Sequence, residues 1–300
     1  MMDGYINVLK PPGMSSGGVV GLVKHLTGMK AGHAGTLDPE ACGVLPVMVG
    51  RAARLFDFLV EKRKVYLAEI AFGYATDTQD AQGTVIAVGE NYPDAAAIKA
   101  VLPMFIGDIL QRPPMYSALK QNGRTLYSLA RQGIEAEIEP RPIFVENIEL
   151  LEETPRHGFL MRITCGRGTY IRTLCHDIGA ALNCPAHMRF LLREQTGAFT
   201  LETAYTPEEL REAKENGTLE SLILAPDAPL GHLPRIDARE RLWKKVVNGV
   251  PLGSSEWQGE KGPARLYCKD TFIGVWEADA EGFLKPRAVL NTGKEVSGNE

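Results

Sequence analysis

From Gln111 to Pro142 the chain changes character, and that change limits what it can fold into. The run QRPPMYSALKQNGRTLYSLARQG (111–133) is polar, basic and lightly apolar, so it reads as a lobe outside the core, with helical spacing through Leu126, Leu129 and Ala130. Strands flank it. VYLAEIAFG (65–73) alternates with period two, TVIAVG (84–89) follows across the polar loop TDTQDAQG, and IFVENIELLE (143–152) and GFLMRITC (158–165) resume afterwards. YINVL (5–9) is a further short strand, stopped by Lys10-Pro11-Pro12-Gly13. Ser15 or Ser16 caps a helix with apolar spacing from Val19 to Leu26 that ends at Gly28. Helices are also predicted over 51–62, over 95–107 with Pro103 near its end, over 169–183 and over 206–217. The Pro-rich passage LAPDAPLGHLPRI (224–236) reads as a domain linker, and the short strands that follow it predict a small β-rich module. The expected organisation is a larger unit over 1–230, with its lobe near 112–142, and a smaller one over 231–300.

With 300 residues, 44% of them apolar, the chain has ample material for a large core. No signal-like N-terminal run and no apolar stretch of membrane-spanning length is visible, which points to a cytoplasmic protein with no membrane partner. Five scattered cysteines without a CxxC pair fit reduced thiols, and the histidines show no ligand-type pairing with them, so no metal is expected. The net charge of −4 argues weakly against nucleic acid, but its distribution argues the other way. Residues 111–133 carry Arg112, Lys120, Arg124 and Arg131 without an acid, and 156–176 carry Arg156, Arg162, Arg167 and Arg172 without one. Aromatics lie between them, as a surface for phosphates and bases requires; a solvated face is the plainer cause of any single charge run.

Nucleotide-binding and hydrolase signatures are missing: there is no GxxxxGK[ST], no strand-GxGxxG-helix unit, no GxSxG and no HExxH. The bend Gly166-Arg167-Gly168 is a weak phosphate-loop candidate. The stretch GHAGTLDPEACGVLPV (32–47) sets a lone carboxylate, Asp38, in a stiff turn before an apolar run. Alone, it reads as a turn or helix cap. Asp77 and Asp80 read as residues that solvate their loop.

Several blocks in order change that reading. KPPGMSS (10–16), GHAGTLDP (32–39), K-x-Y (64–66), the 111–133 run and GTYIRTLxxDIG (168–179) closely resemble the TruB family of tRNA pseudouridine synthases, over about the first 195 residues. The C-terminal module resembles, more loosely, a small PUA-like RNA-binding domain. The resemblance implies a mixed α/β (α+β-like) fold on a large, mainly antiparallel sheet with an inserted RNA-clasping lobe. It implies isomerisation of a uridine in the tRNA T loop, at tRNA position 55, with no cofactor. Asp38 takes the family's catalytic place, as nucleophile at C1′ or C6 or as an aid to a glycal route. Arg172 matches the arginine that pairs with it, Tyr66 a stacking platform and proton acceptor beside the base, and Tyr170 a second pocket aromatic. His33 matches a residue that stacks in the RNA loop. Leu191 matches an apolar pocket residue, and Lys10 a lysine that orders the KPPG loop near the site. Each has a plainer reading as a core or surface residue. The expected partner is the T-loop elbow of tRNA, met by a monomer. A guide-RNA-dependent subunit and a non-catalytic RNA-binding module are the rivals.

Overall fold

The alternation of Lys64–Phe72 builds a strand near the middle of a nine-stranded sheet, in a computed structural model that describes residues 3–59, 63–117, 119–121, 123–130, 132–134 and 136–290. The sheet runs Gly4–Lys10, Cys42–Val49, Ala186–Thr196, Lys64–Phe72, Gly158–Cys165, Arg141–Thr154 and Gly107–Gln111, with Ala31–His33 and Phe199–Thr200 attached. Its pairings are antiparallel except that Leu192 and Arg193 run parallel to Cys42 and Gly43. The sheet is therefore mixed and mainly antiparallel, as expected. Tyr66, Ala68 and Ile70 point to one face and are buried with Leu174, Cys175 and Ile178 of the helix Ile171–Ala181. The helix Ser16–Thr27 buries Val19, Val20, Val23 and Leu26 in the same core. Ser15 is its cap, accepting from Gly18 N at 3.0 Å, and Gly28 closes it at φ 69°.

Three elements differ from the sequence expectation. The 51–62 helix is a 3₁₀ segment, Gly50–Phe58, and Val60, Glu61 and Lys62 lie outside the described residues. The 95–107 helix stops at Val101; Pro103 has no N–H with which to continue the α-helical ladder, and a 3₁₀ turn, Leu102–Phe105, leads into the edge strand Gly107–Gln111. TVIAVG forms a strand, Val85–Val88, but pairs with Tyr74–Thr76 in a separate two-stranded sheet.

Of the strands of the main sheet that the sequence reading does not anticipate, two are long. Cys42–Val49 contains Pro46, which lies beyond the point, Gly43, where pairing with Ala186–Thr196 ends, so the missing N–H costs that ladder nothing. Ala186–Thr196 is interrupted by two register shifts, which blur the period-two signal while neighbours on both sides still hold the strand.

Part of the inserted passage makes a tiny hairpin, Lys120–Gln121 with Arg124–Thr125, and a short helix, Leu126–Ala130. Arg131 lies outside the described residues. Beyond Pro234 a four-stranded sheet, Arg235–Ala238, Pro263–Cys268, Thr271–Ala278 and Leu284–Val289, packs on its own core around Leu266, Ile273 and Trp276. The Pro-rich passage is a packed joint rather than an open tether. Leu224 exchanges backbone hydrogen bonds with Tyr5, and Leu230 and Leu233 pack against Leu55, Val275 and Leu290.

Candidate active site

The Asp38 turn hangs from three separate anchors, and each comes from a different part of the chain. Ser16 Oγ donates to Leu37 O at 2.8 Å and accepts from Leu37 N at 2.9 Å. Lys10, wholly buried, donates to the carbonyls of Pro11 (2.9 Å), Pro39 (2.8 Å) and Ala41. Arg193, also wholly buried, donates to Val44 O at 2.7 Å, Gly35 O at 3.1 Å and Thr36 O at 3.5 Å. A side chain at Gly43 would strike the Arg193 backbone oxygen at 2.2 Å, so only glycine lets the two strands meet here. The stiffness of the turn is thus made by distant residues, and Pro39 only adds to it.

The carboxylate so held meets the helix Ile171–Ala181. Arg172 Nε lies 2.9 Å from Asp38 Oδ2 and its Nη2 donates to Oδ1 at 3.2 Å, a two-pronged pair. The rest of the guanidinium donates to Thr78 O (3.0 Å) and Tyr116 O (2.9 Å), with Asp80 Oδ2 at 3.8 Å. Arg172 is therefore held from several sides and only 5% exposed. Its helix is positioned by Gln111, whose side chain donates to Tyr170 O at 3.0 Å and accepts from Tyr170 N at 2.8 Å. Burial pushes the Asp38 carboxyl above its ordinary range; Arg172 pulls the other way and Asp80 adds to the rise.

Asp38, Arg172, Tyr66, Tyr170 and Leu191 line one cleft of about 860 Å³, roofed by Tyr116 and Ser117 of the inserted passage. Tyr66 is 5% exposed, and burial raises its hydroxyl pKa against the pull of Arg193, so it stays a neutral phenol. That form suits a platform or a hydrogen-bond donor better than a proton acceptor. The Tyr170 hydroxyl is likewise raised by burial.

Two predicted residues stand outside the cleft lining. His33 is half-buried at the end of Ala31–His33, with Nδ1 unpartnered among the described residues, and burial followed by Arg193 lowers its pKa, which keeps the ring neutral. Lys10 spends its donors on carbonyls, so in this structure it positions the loop. Lys10→Met leaves those carbonyls unsatisfied; the expected cost is about 3 kcal/mol of unfolding free energy, read by urea denaturation, with activity lost alongside.

Sequence reasoning missed Arg193, Ser16 as a tether and Asp80 as a cleft residue. Arg193 had a signal: it follows Leu191 by two positions on one strand, so both face the same way. Asp80 had none, because only the fold brings its loop to Arg172. Asp77 accepts from Thr84 N at 2.8 Å and serves the loop. No cluster of His, Cys, Asp and Glu suited to a metal occurs among the described residues.

The model of the TruB family pseudouridylate synthase N-terminal domain matches residues 24–171, and that of the tRNA pseudouridylate synthase B C-terminal domain matches 172–230. The tRNA pseudouridine synthase B of Dehalococcoides mccartyi is 40% identical over 297 residues, covering 96% of this chain and 97% of its own. The chain belongs to the TruB family. The tRNA pseudouridine synthase B of Symbiobacterium thermophilum is 45% identical over 83% of each chain. Among solved structures, a Cbf5-Nop10-Gar1 complex matches at TM-score 0.68 and 30% identity, covering 92% of this chain and 78% of that one. An H/ACA RNP bound to a substrate RNA containing 2′-deoxyuridine matches at TM-score 0.71 and 27% identity, covering 95% and 84%. These TruB-type neighbours share the mixed α/β architecture. No helix among the described residues is long and apolar enough to cross a membrane.

Proposed function

We propose that this chain converts a uridine of tRNA to pseudouridine, and that the uridine is the one in the T loop at position 55. The observation that carries the reading is the Asp38–Arg172 pair at the floor of a cleft large enough for a flipped nucleotide. The reaction breaks the C1′–N1 bond, turns the uracil and joins C5 to C1′, with loss of the C5 proton. It needs a fixed carboxylate at an electron-poor carbon. Asp38 supplies it, Arg172 holds its orientation, and Tyr66 and Tyr170 flank the base. Leu191 closes the apolar side.

The tRNA approaches over a basic rim that includes the exposed Arg112, Arg124, Arg141 and Arg167. Arg131 lies outside the described residues, as does the side chain of Lys120. Binding weakens steeply with salt on this account. Relatives named tRNA pseudouridine synthase B reach 45% identity while the Cbf5 complex reaches 30%, which favours direct action on tRNA over guide-RNA dependence. The test is pseudouridine mapping on a tRNA transcript incubated with the chain alone. Modification at position 55 is expected, and its loss when that uridine is replaced by cytidine. Modification only when a guide RNA is added contradicts the reading.

A further inference from the structure

Five buried or half-buried cations stand in or around the cleft, and four of them have partners. Lys10 and Arg193 hold carbonyls, Arg172 holds Asp38, and Arg189 holds Glu69. Lys64 is the exception. It opens the strand Lys64–Phe72 and is half-buried, and among the described residues no hydrogen bond or ion pair reaches its ammonium. Nζ sits beside the Asp38 turn, 3.8 Å from the point where a Cβ on Gly35 would lie. Arg193 Nη1 is 3.7 Å from that same point, so two cations are close neighbours, and no ion pair to Lys64 is formed by a carboxylate among the described residues. An arrangement of this kind is unfavourable unless an anion completes it.

The position says which anion. Lys64 lines the main cleft, and it also lines a second pocket of about 180 Å³. That pocket has an apolar floor of Phe56, Leu59 and Phe199, and Arg167 stands at its rim. An RNA strand leaving the cleft toward this pocket must carry a phosphate past Lys64. We propose that Lys64 anchors a phosphodiester flanking the target uridine, between the cleft and the second pocket. This rests on the RNA substrate reading above.

The titration of Lys64 supports the placement. Burial, followed by Arg193, lowers its pKa to about 8. The groups facing it are Arg193 on one neighbouring strand, Cys165 on the other, Arg167 and His232 in the second pocket, and Asp38 and Tyr66 in the cleft. Burial pushes the Cys165 thiol up to about 11, and Tyr66 is raised as well, so neither titrates beside Lys64 near pH 8. A phosphate raises the Lys64 pKa again, and RNA binding therefore takes up a proton. Affinity holds below that pH and falls above it.

The experiment is fluorescence-anisotropy titration of a T-stem-loop RNA against the full chain between pH 7 and 9.5, with unmodified RNA and with RNAs carrying a neutral methylphosphonate at either linkage flanking the target. Wild type is expected to lose roughly tenfold in affinity across that range. Lys64→Arg binds as wild type at pH 7 and loses the pH dependence. Lys64→Met binds roughly tenfold more weakly at pH 7, with a salt slope reduced by about one. One methylphosphonate weakens wild type and leaves Lys64→Met unchanged. Equal sensitivity of both proteins to both methylphosphonates, or an unaltered pH dependence in Lys64→Arg, overturns the proposal; the second arm stands even if Lys64→Met does not fold. Absence of pseudouridine formation by wild type is a different failure, that of the substrate reading itself.

Discussion

Asp38→Asn is expected to lower the rate of pseudouridine formation by roughly 10⁴-fold or more, the scale seen when a nucleophile is removed from a site that acts as a unit. The substitution keeps size and a hydrogen-bonding oxygen in the Arg172 fork, so RNA affinity should remain within a few-fold of wild type. Single-turnover rates and binding titrations, measured on the same RNA, separate the two effects. The pH profile adds a signed test. On the proposed role of Asp38 activity needs the carboxylate, and burial raises its pKa. The rate should therefore fall as the pH is lowered through a midpoint above the ordinary aspartate range.

Arg172→Lys is expected to cost roughly 10²- to 10³-fold in kcat, despite keeping the charge. An ammonium cannot present two parallel N–H groups to Asp38 while also serving the carbonyls of Thr78 and Tyr116. It therefore loosens the carboxylate and the roof of the cleft together. Arg172→Met goes further by removing the cation that opposes burial. Its acid limb should move to higher pH than that of wild type, in a pH profile of kcat/KM. A limb that stays in place would show that Arg172 does not set the ionisation of Asp38.

What was legible in the sequence depended on whether the signal was local. Strands such as Lys64–Phe72 and Gly158–Cys165 alternate on their own, and Gly28 ends its helix through a left-handed φ that glycine adopts freely. Pro103 shortens a helix whose apolar spacing runs past it, because the ring nitrogen has no hydrogen to donate to the preceding turn. The Asp38–Arg172 pair joins residues 134 positions apart, and only the recurrence of whole blocks pointed to it. The tethers were harder. Ser16 resembled a helix cap, yet Ser15 caps the helix and Ser16 holds Leu37. Lys10 was placed near the site, but its role as a clamp depends on the carbonyls of Pro39 and Ala41, which no side-chain pattern encodes. Asp80 read as a loop solvator and lies 3.8 Å from Arg172 once the fold closes.

The central claim is that the carboxylate held in this cleft isomerises uridine. The most direct measurement is tritium release from a T-loop RNA labelled at uridine C5, comparing wild type with Asp38→Asn at saturating enzyme. Forming the C5–C1′ bond expels the C5 hydrogen, so release reports the chemistry itself. The account predicts stoichiometric release by wild type and none above background by a variant that still binds the RNA. Equal release by both proteins, or none by a wild type that binds tightly, would contradict it.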